Sequence, residues 1–189
     1  AFGSEMFDQM AISAPAAMFI IFLLLLMFFR EMRVIIAPML VAMASVIWAM
    51  GLLIMLGFTV HIMSSMIPIF LIPIAVLNSI HLLSECCDRY KKFQDKATTI
   101  RHSVKELFLP MLFTSMTTVA GFLSLALTPI PPVRVFGVFV AFGIVVAWFL
   151  SLMLNPAVAI LISDKTLQKF VSADYGSGPL GRVMHGFRI

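Results

Sequence analysis

Polar side chains in one apolar segment are the first candidates for chemistry. Asn78, His81 and Glu85 stand at i, i+3 and i+7, so a helix places them on one face, with Ser79 beside them. Among these residues, His81 is the one whose side chain titrates near neutral pH. The spacing predicts either hydrogen bonding between packed helices or a polar pathway in which His81 carries a proton.

A second apolar segment carries a matching row of small and hydroxylated residues. The row consists of Thr114, Thr117, Thr118 and Gly121, at i, i+3, i+4 and i+7. Small residues allow membrane helices to approach closely, and hydroxyl groups hydrogen-bond between them. We therefore expect this row to face Asn78 and His81, as a packing contact or as the other wall of the pathway.

The composition indicates which solvent surrounds these residues. Of the 189 residues, 61% are hydrophobic and 12% are charged, and the mean hydropathy is +1.07. A soluble domain carries about 25% charged residues, roughly twice this share. Such a chain has too little polar surface to cover a globule in water, so the expected fold class is an all-α membrane protein.

Uncharged runs predict five transmembrane helices. They cover about 10–29, 34–56, 61–84, 109–127 and 135–162. At 1.5 Å rise per residue, each run is long enough to cross a hydrocarbon layer of about 30 Å. The segment 57–61 reverses the chain between the second and third helices. Residues 1–163 would form the transmembrane unit and residues 164–189 a loose cytoplasmic tail.

Prolines, glycines and one arginine are interpreted as structural residues of these helices. Pro68 and Pro73 should bend the third helix and Pro156 the fifth, because proline cannot donate a backbone hydrogen bond. Gly137 should allow close packing of the fifth helix. Arg134 should anchor the start of that helix at the membrane surface.

Between the third and fourth spans, residues 97–108 read as an amphipathic helix lying in the membrane interface. Its apolar stripe consists of Ile100, Val104, Leu107 and Phe108, and its cations reach toward water or headgroups. Twelve of the 13 Lys and Arg residues follow the first, third and fifth helices, and Arg134 alone lies opposite. By the positive-inside rule, the N-terminus is outside and the C-terminus cytoplasmic. This topology explains the basic charge better than nucleic-acid binding does.

Motifs for enzymatic or metal chemistry are missing from the sequence. It has no Gly-rich phosphate loop, no HExxH and no recognisable nucleophile–base pair. The adjacent Cys86 and Cys87 have no second cysteine pair or histidine spacing with which to hold a metal. We expect no enzyme activity, no cofactor and no metal.

Three motifs in order resemble the resistance–nodulation–division (RND) transporters, in their MMPL-like and sterol-sensing-domain-like branch. The stretch 74–83, IAVLNSIHLL, resembles that family's fourth transmembrane helix. The stretch 114–125, TSMTTVAGFLSL, is similar to its fifth helix, and 131–143, PPVRVFGVFVAFG, to the start of its sixth. The resemblance covers about residues 10–163 and implies transmembrane helices two to six of one repeat.

The resemblance implies a transmembrane half of a proton-driven exporter of hydrophobic or amphiphilic molecules such as lipids, in a bacterial inner membrane. Its partners would be membrane lipids, a hydrophobic substrate, and the porter domains and second repeat of a longer transporter, or partner subunits; a homo-oligomer is another arrangement. Asn78 stands where proton-driven members usually have Asp. Coupling would then fall to the other repeat or to His81, or this half would be a structural partner.

A second hypothesis is a non-transporting membrane module. It would sense or bind a sterol-like lipid, or hold a membrane complex together. The neutral Asn78 favours this interpretation more than an aspartate would.

Overall fold

The computed structural model describes residues 12, 15–26, 32–58, 62–93 and 95–161, and these residues form helices joined by short turns. The helices are α1 (Pro15–Leu26), α2 (Met32–Met55), α3 (Ile62–Ser65), α4 (Ile67–Phe93), α5 (Lys96–Ser124) and α6 (Pro131–Leu161), with a short 3-10 turn at Leu125–Leu127. The tail at 164–189 and the outer parts of the first expected span lie outside the described residues.

A glycine ends α2 and begins the predicted reversal. Gly57 has a φ of 77°, in the left-handed region that favours glycine. The N–H of Gly57 donates to the carbonyl of Ile54, and that of Phe58 donates to the carbonyl of Leu53. This paired arrangement is a Schellman motif, which satisfies two carbonyls that the helix end leaves open.

The third expected span is broken near its start. α3 ends at Ser65, Met66 forms a turn, and α4 begins at Ile67. Pro68 explains the break, because it has no N–H to donate to the carbonyl of Ser64 and so cannot continue α3. As the second residue of α4, Pro68 is tolerated, whereas Pro73 lies inside the helix.

The interfacial helix expected at 97–108 and the span expected at 109–127 are one continuous helix, α5. The amphipathic stripe is therefore the first three turns of a long helix rather than a separate element. Pro110 lies inside α5 without ending it. The sequence pattern changes at residue 108 because the solvent changes from interface to hydrocarbon, not because the backbone changes direction.

α6 begins at Pro131, four residues before the predicted start at 135. Proline is well suited to the first turn of a helix, since the N–H it lacks would have no partner there and its φ is already helical. Pro131 and Pro132 therefore open α6.

α4 and α6 form the centre of the bundle. Both pack against α2 on one side and against α5 on the other, and α4 also packs against α6. Leu25 of α1 enters the core beside α2 and α4. In the described residues, α2, α4, α5 and α6 are long and apolar enough to cross a membrane, while the described part of α1 is shorter. The chain is an all-α, multi-pass membrane protein.

Candidate functional site

Two neighbouring residues of α4 lie in the interior of the bundle. Ser79 is fully buried, and its hydroxyl lies 3.1 Å from the carbonyl oxygen of Ala75 and 3.3 Å from the Oγ of Ser151 on α6. Asn78 is 6% exposed, and its Nδ2 finds no hydrogen-bond partner among the described residues. α4 thus brings the Ser79 hydroxyl to its contact with α6 and buries the Asn78 amide one residue earlier.

α6 supplies the other half of this contact. Ser151 is fully buried and Asn155, one turn further along the same helix, is 1% exposed. Neither the Oδ1 nor the Nδ2 of Asn155 has a partner within the described chain. Pro156 follows directly and lies inside α6, so the carbonyl of Leu152 lacks the N–H four residues on that a helix normally supplies.

We call Asn78, Ser79, Ser151 and Asn155 the polar seam. All four side chains are neutral, so the seam can donate and accept hydrogen bonds but cannot take up or release a proton near neutral pH. Buried amides of this kind are normally satisfied by protein groups or by ordered water. The seam is therefore suited to hold water or the polar group of a bound lipid.

One residue of α5 lies level with the seam. α4 and α5 run antiparallel, because Phe70 faces Phe122 near one end and Arg89 is paired with Glu106 near the other. Interpolating between these contacts places Asn78 level with 114–117 of α5. In that stretch Ser115 is the buried residue, 6% exposed, and its hydroxyl has no partner among the described residues.

The face predicted for Asn78, His81 and Glu85 is divided in the structure. Asn78 is buried, His81 is exposed, and Glu85 is half-buried in an ion pair with Arg89. His81 therefore points to the outside of the described bundle rather than into the seam. Any role of His81 in a pathway would require a second wall outside the described residues.

The threonine row also faces away from α4. Thr114 and Thr117 are exposed and Thr118 is half-buried. Their hydroxyls donate to carbonyls of their own helix, Thr114 to Pro110 and both other threonines to Thr114. The expectation that this row meets Asn78 is corrected by the structure: Ser115, about 100° around the helix from Thr114, is the hydroxyl turned inward.

Gly137 allows α5 and α6 to touch through their backbones. A Cβ at this position would lie 2.5 Å from the carbonyl oxygen of Phe122 and 2.7 Å from the Cβ of Leu125. The rings of Phe122 and Phe136 meet edge-to-face beside it, with centroids 6.1 Å apart. The RND-like motifs at 114–125 and 131–143 are thus in direct contact. Gly121, by contrast, is exposed and has no neighbour within 4 Å of its Cβ position.

Arg134 is exposed in the first turns of α6, and its backbone N–H donates to the carbonyl of Ile130. It lies at the start of the helix as expected from the sequence, and its role as a membrane anchor stays a prediction. At the opposite end of the bundle, Arg89 joins α4 to α5. Its Nε lies 2.6 Å from Oε1 of Glu85, and its Nη2 pairs with Glu106. The hydrogen bond to Glu85 and the charge of Glu106 raise the pKa of Arg89 above its usual range.

Sequence reasoning missed the α6 side of the seam. Pro156 was predicted to bend the helix, but the neighbouring Asn155 was given no hydrogen-bonding role and Ser151 was not singled out. Their spacing of i, i+4 in an otherwise uncharged, apolar helix was the available signal, since a helix places both on one face. Ser115 was missed as well, because periodicity alone does not say which side of α5 meets the bundle.

Comparison with known proteins agrees with this architecture. The family described as the sterol-sensing domain of SREBP cleavage-activation matches residues 30–172, most of the chain. A protein of Methanocaldococcus jannaschii, whose name describes it as a membrane protein, is 28% identical over 141 residues. That match covers 75% of this chain and 36% of the relative, so the chain spans about a third of the relative's length. With the matched region enclosing α2, α4, α5 and α6, the chain belongs to the sterol-sensing domain family.

Proposed function

We propose that the chain is the lipid-handling transmembrane half of an RND-type exporter of hydrophobic or amphiphilic molecules. The observation that carries the proposal is the polar seam. Apolar helices of a membrane protein have little reason to bury Asn78 and Asn155 unless the amides bind something. The three RND-like motifs lie on α4, α5 and α6, the helices that enclose the seam or lie level with it.

On this proposal the half does not relay protons through position 78. Every seam residue is neutral, so the driving force enters through another part of the transporter, such as a second repeat. The chain works without enzymatic chemistry of its own. Its partners are membrane lipids, the hydrophobic substrate, porter domains and a second repeat or partner subunits.

The exposed polar groups of the outer face support a partner helix in the assembled protein. His81 and Thr114 lie at similar depth on neighbouring helices and both face outward. A histidine facing hydrocarbon is costly, and membrane helices associate through small and hydroxylated residues. We therefore place the second repeat, or a second copy, against this face. The proposed location is the bacterial inner membrane, with the N-terminus outside and the C-terminus in the cytoplasm.

The experiment is lipid export by the full-length protein reconstituted in vesicles, comparing wild type with Asn78→Leu and Asn78→Asp. Asn78→Leu should reduce export several-fold, and Asn78→Asp should give export a new dependence on pH. Ser45→Ala is the matched control, because the buried Ser45 hydroxyl already donates to Val41 of its own helix. Unchanged rates and pH profiles in both Asn78 variants would place the seam outside the transport path.

The sterol-sensing domain match favours a second candidate function, the sensing or binding of a sterol-like lipid without transport. A photoreactive sterol should then label wild-type protein at residues bordering the seam, and Asn155→Leu should reduce the labelling. Saturable labelling in a full-length protein that exports no lipid would favour the sensor over the exporter.

A further inference from the structure

Two cations near the start of α5 have no counter-charge in the described part of the chain. By contrast, Arg89 near the end of α4 forms ion pairs with both Glu85 and Glu106. Arg101 and Lys105 are exposed and form no ion pair there. Two carboxylates of the described residues near the start of α5 are already engaged, Glu106 with Arg89 and Asp95 with the N–H and hydroxyl of Thr98.

These cations line a groove of about 550 Å³ along the first turns of α5. The described residues that line it are Ala97, Thr98, Arg101, His102 and Lys105. Arg101 and Lys105 are one helical turn apart, and the Thr98 side chain lies a turn before Arg101. The groove thus presents to one ligand the guanidinium and ammonium donors of Arg101 and Lys105, which form no ion pair among the described residues. Such donors suit the oxygens of a phosphate group.

The same helix face continues into hydrocarbon without a break. Arg101, Lys105 and Leu109 stand at i, i+4 and i+8, and Leu109 is 57% exposed. Met116 follows on this face and Phe108 lies at its edge, both also exposed. Because α5 is one helix, a ligand phosphate at Arg101 would lie about 12 Å along the axis from Leu109. A charged groove beside an exposed apolar strip matches the charged headgroup and the acyl chain of a phospholipid.

We propose that this face of α5 is a binding site for an anionic phospholipid, with the headgroup phosphate in the groove and an acyl chain along Leu109 and Met116. The site is separate from the polar seam, since it lies on the outer side of α5. A soluble acidic partner would use the cations but not the apolar strip, so the strip favours a lipid. A free phosphate would likewise leave Leu109 and Met116 without a role.

Trp148 provides a reporter for the test. Its ring lies 5.5 Å from that of Phe108, and replacing Trp48 by Phe leaves Trp148 as the sole tryptophan of the chain. The full chain carrying Trp48→Phe would be placed in phosphatidylcholine vesicles that contain brominated phosphatidylglycerol or brominated phosphatidylcholine. Bromine quenches tryptophan fluorescence on contact, so the mole fraction giving half-maximal quenching measures lipid preference.

Brominated phosphatidylglycerol should quench Trp148 at a mole fraction at least about fivefold lower than brominated phosphatidylcholine, since even one of the two basic residues contributes about that factor near an anionic lipid. Arg101→Gln with Lys105→Gln should bring the ratio close to one. Lys165→Gln with Lys169→Gln removes the same charge elsewhere and should keep the preference.

Three results would overturn the site. Equal quenching by the two brominated lipids in the Trp48→Phe protein would show no anionic preference. Loss of preference in both double variants would indicate attraction by net charge alone. Loss of preference on adding inorganic phosphate, at ionic strength matched with sodium chloride, would assign the groove to a soluble phosphate instead.

Discussion

Gly137 shows how one missing methyl group sets the distance between two helices. The backbone of α5 occupies the place where a side chain of α6 would begin. The sequence was sufficient to predict close packing at this position, because glycine in an apolar helix has few other uses. It was not sufficient to give Gly121 the same role, since only the structure reveals that Gly121 has open space around it.

Gly137→Ala should lower the free energy of unfolding in detergent by about 1–3 kcal/mol, the usual cost of overpacking. The methyl group would press on the carbonyl of Phe122, which is backbone and cannot turn aside. Gly121→Ala is the matched control and should be neutral or stabilising by up to about 1 kcal/mol, because alanine is the better helix former. Equal effects of the two substitutions would contradict the close contact.

At Asn155, a substitution should change stability and function in opposite directions. With no partner for either amide atom in the described chain, its burial costs stability. Asn155→Leu should therefore raise the free energy of unfolding by roughly 1 kcal/mol while reducing lipid export or sterol labelling. Parallel unfolding and export measurements on the same preparation check this. A variant that is both less stable and fully active would argue against a binding role.

At the scale of elements, the hydrophobic runs predicted the presence of the long apolar helices, but not that α4 continues to Phe93 or that α5 begins at Lys96. The change from charged to apolar at residue 108 predicted a boundary, although α5 passes through it unbroken. The direction of the threonine row was also missed, because in lipid the outer face of a helix is as apolar as its inner face. Periodicity separates inside from outside only where water is the solvent.

Asp95 fixes the start of α5 as its N-cap. Its carboxylate accepts from the N–H and hydroxyl of Thr98, and these bonds lower the pKa of Asp95 below its ordinary value. Because the pKa of Asp95 is lower in the folded state, the cap's contribution to the free energy of unfolding is fully present above the unfolded pKa. It is lost as the pH falls through the folded pKa, that is, below about pH 4.

Hydrogen exchange tests this cap. Asp95→Ala should speed amide exchange in the first turn of α5 several-fold at neutral pH, because the N–H of Thr98 loses its acceptor. Asp95→Asn keeps an acceptor and should exchange nearly as slowly as wild type. After correction for intrinsic rates, wild type should approach the alanine variant in acid. Identical exchange in wild type and Asp95→Ala at neutral pH would rule the cap out.

For the whole molecule, four long helices require that the chain cross the membrane between successive turns. Residues 56–58 and 127–130 should therefore share one side, and residues 95–97 should lie on the other. By the positive-inside rule the second group would be cytoplasmic, and this orientation stays a prediction. The packing order of the helices depends on contacts such as Ser79 with Ser151, 72 residues apart, that no local pattern contains.

Cysteine labelling checks the topology in sealed vesicles. In a background with Cys86 and Cys87 replaced by Ala, single cysteines would be introduced at Leu56, Ala97 and Ile130, which are all exposed. A membrane-impermeant maleimide added outside right-side-out vesicles should label Leu56→Cys and Ile130→Cys but not Ala97→Cys. Inside-out vesicles should give the reverse. Labelling of all three from one side would contradict the four crossings.

The central position of α6 has a consequence for how the protein is made. α6 is the last described span to leave the ribosome, yet it packs against α2, α4 and α5. The contact between Ser79 and Ser151 cannot form until 72 further residues have been synthesised. At synthesis rates of about 5–20 residues per second, this takes roughly 4–14 s. During that interval the earlier spans have no finished core to join. The bundle can therefore pack fully only after α6 has been inserted. A nascent chain stalled before Pro131 would leave α2, α4 and α5 incompletely packed and accessible to the insertion machinery and to membrane proteases.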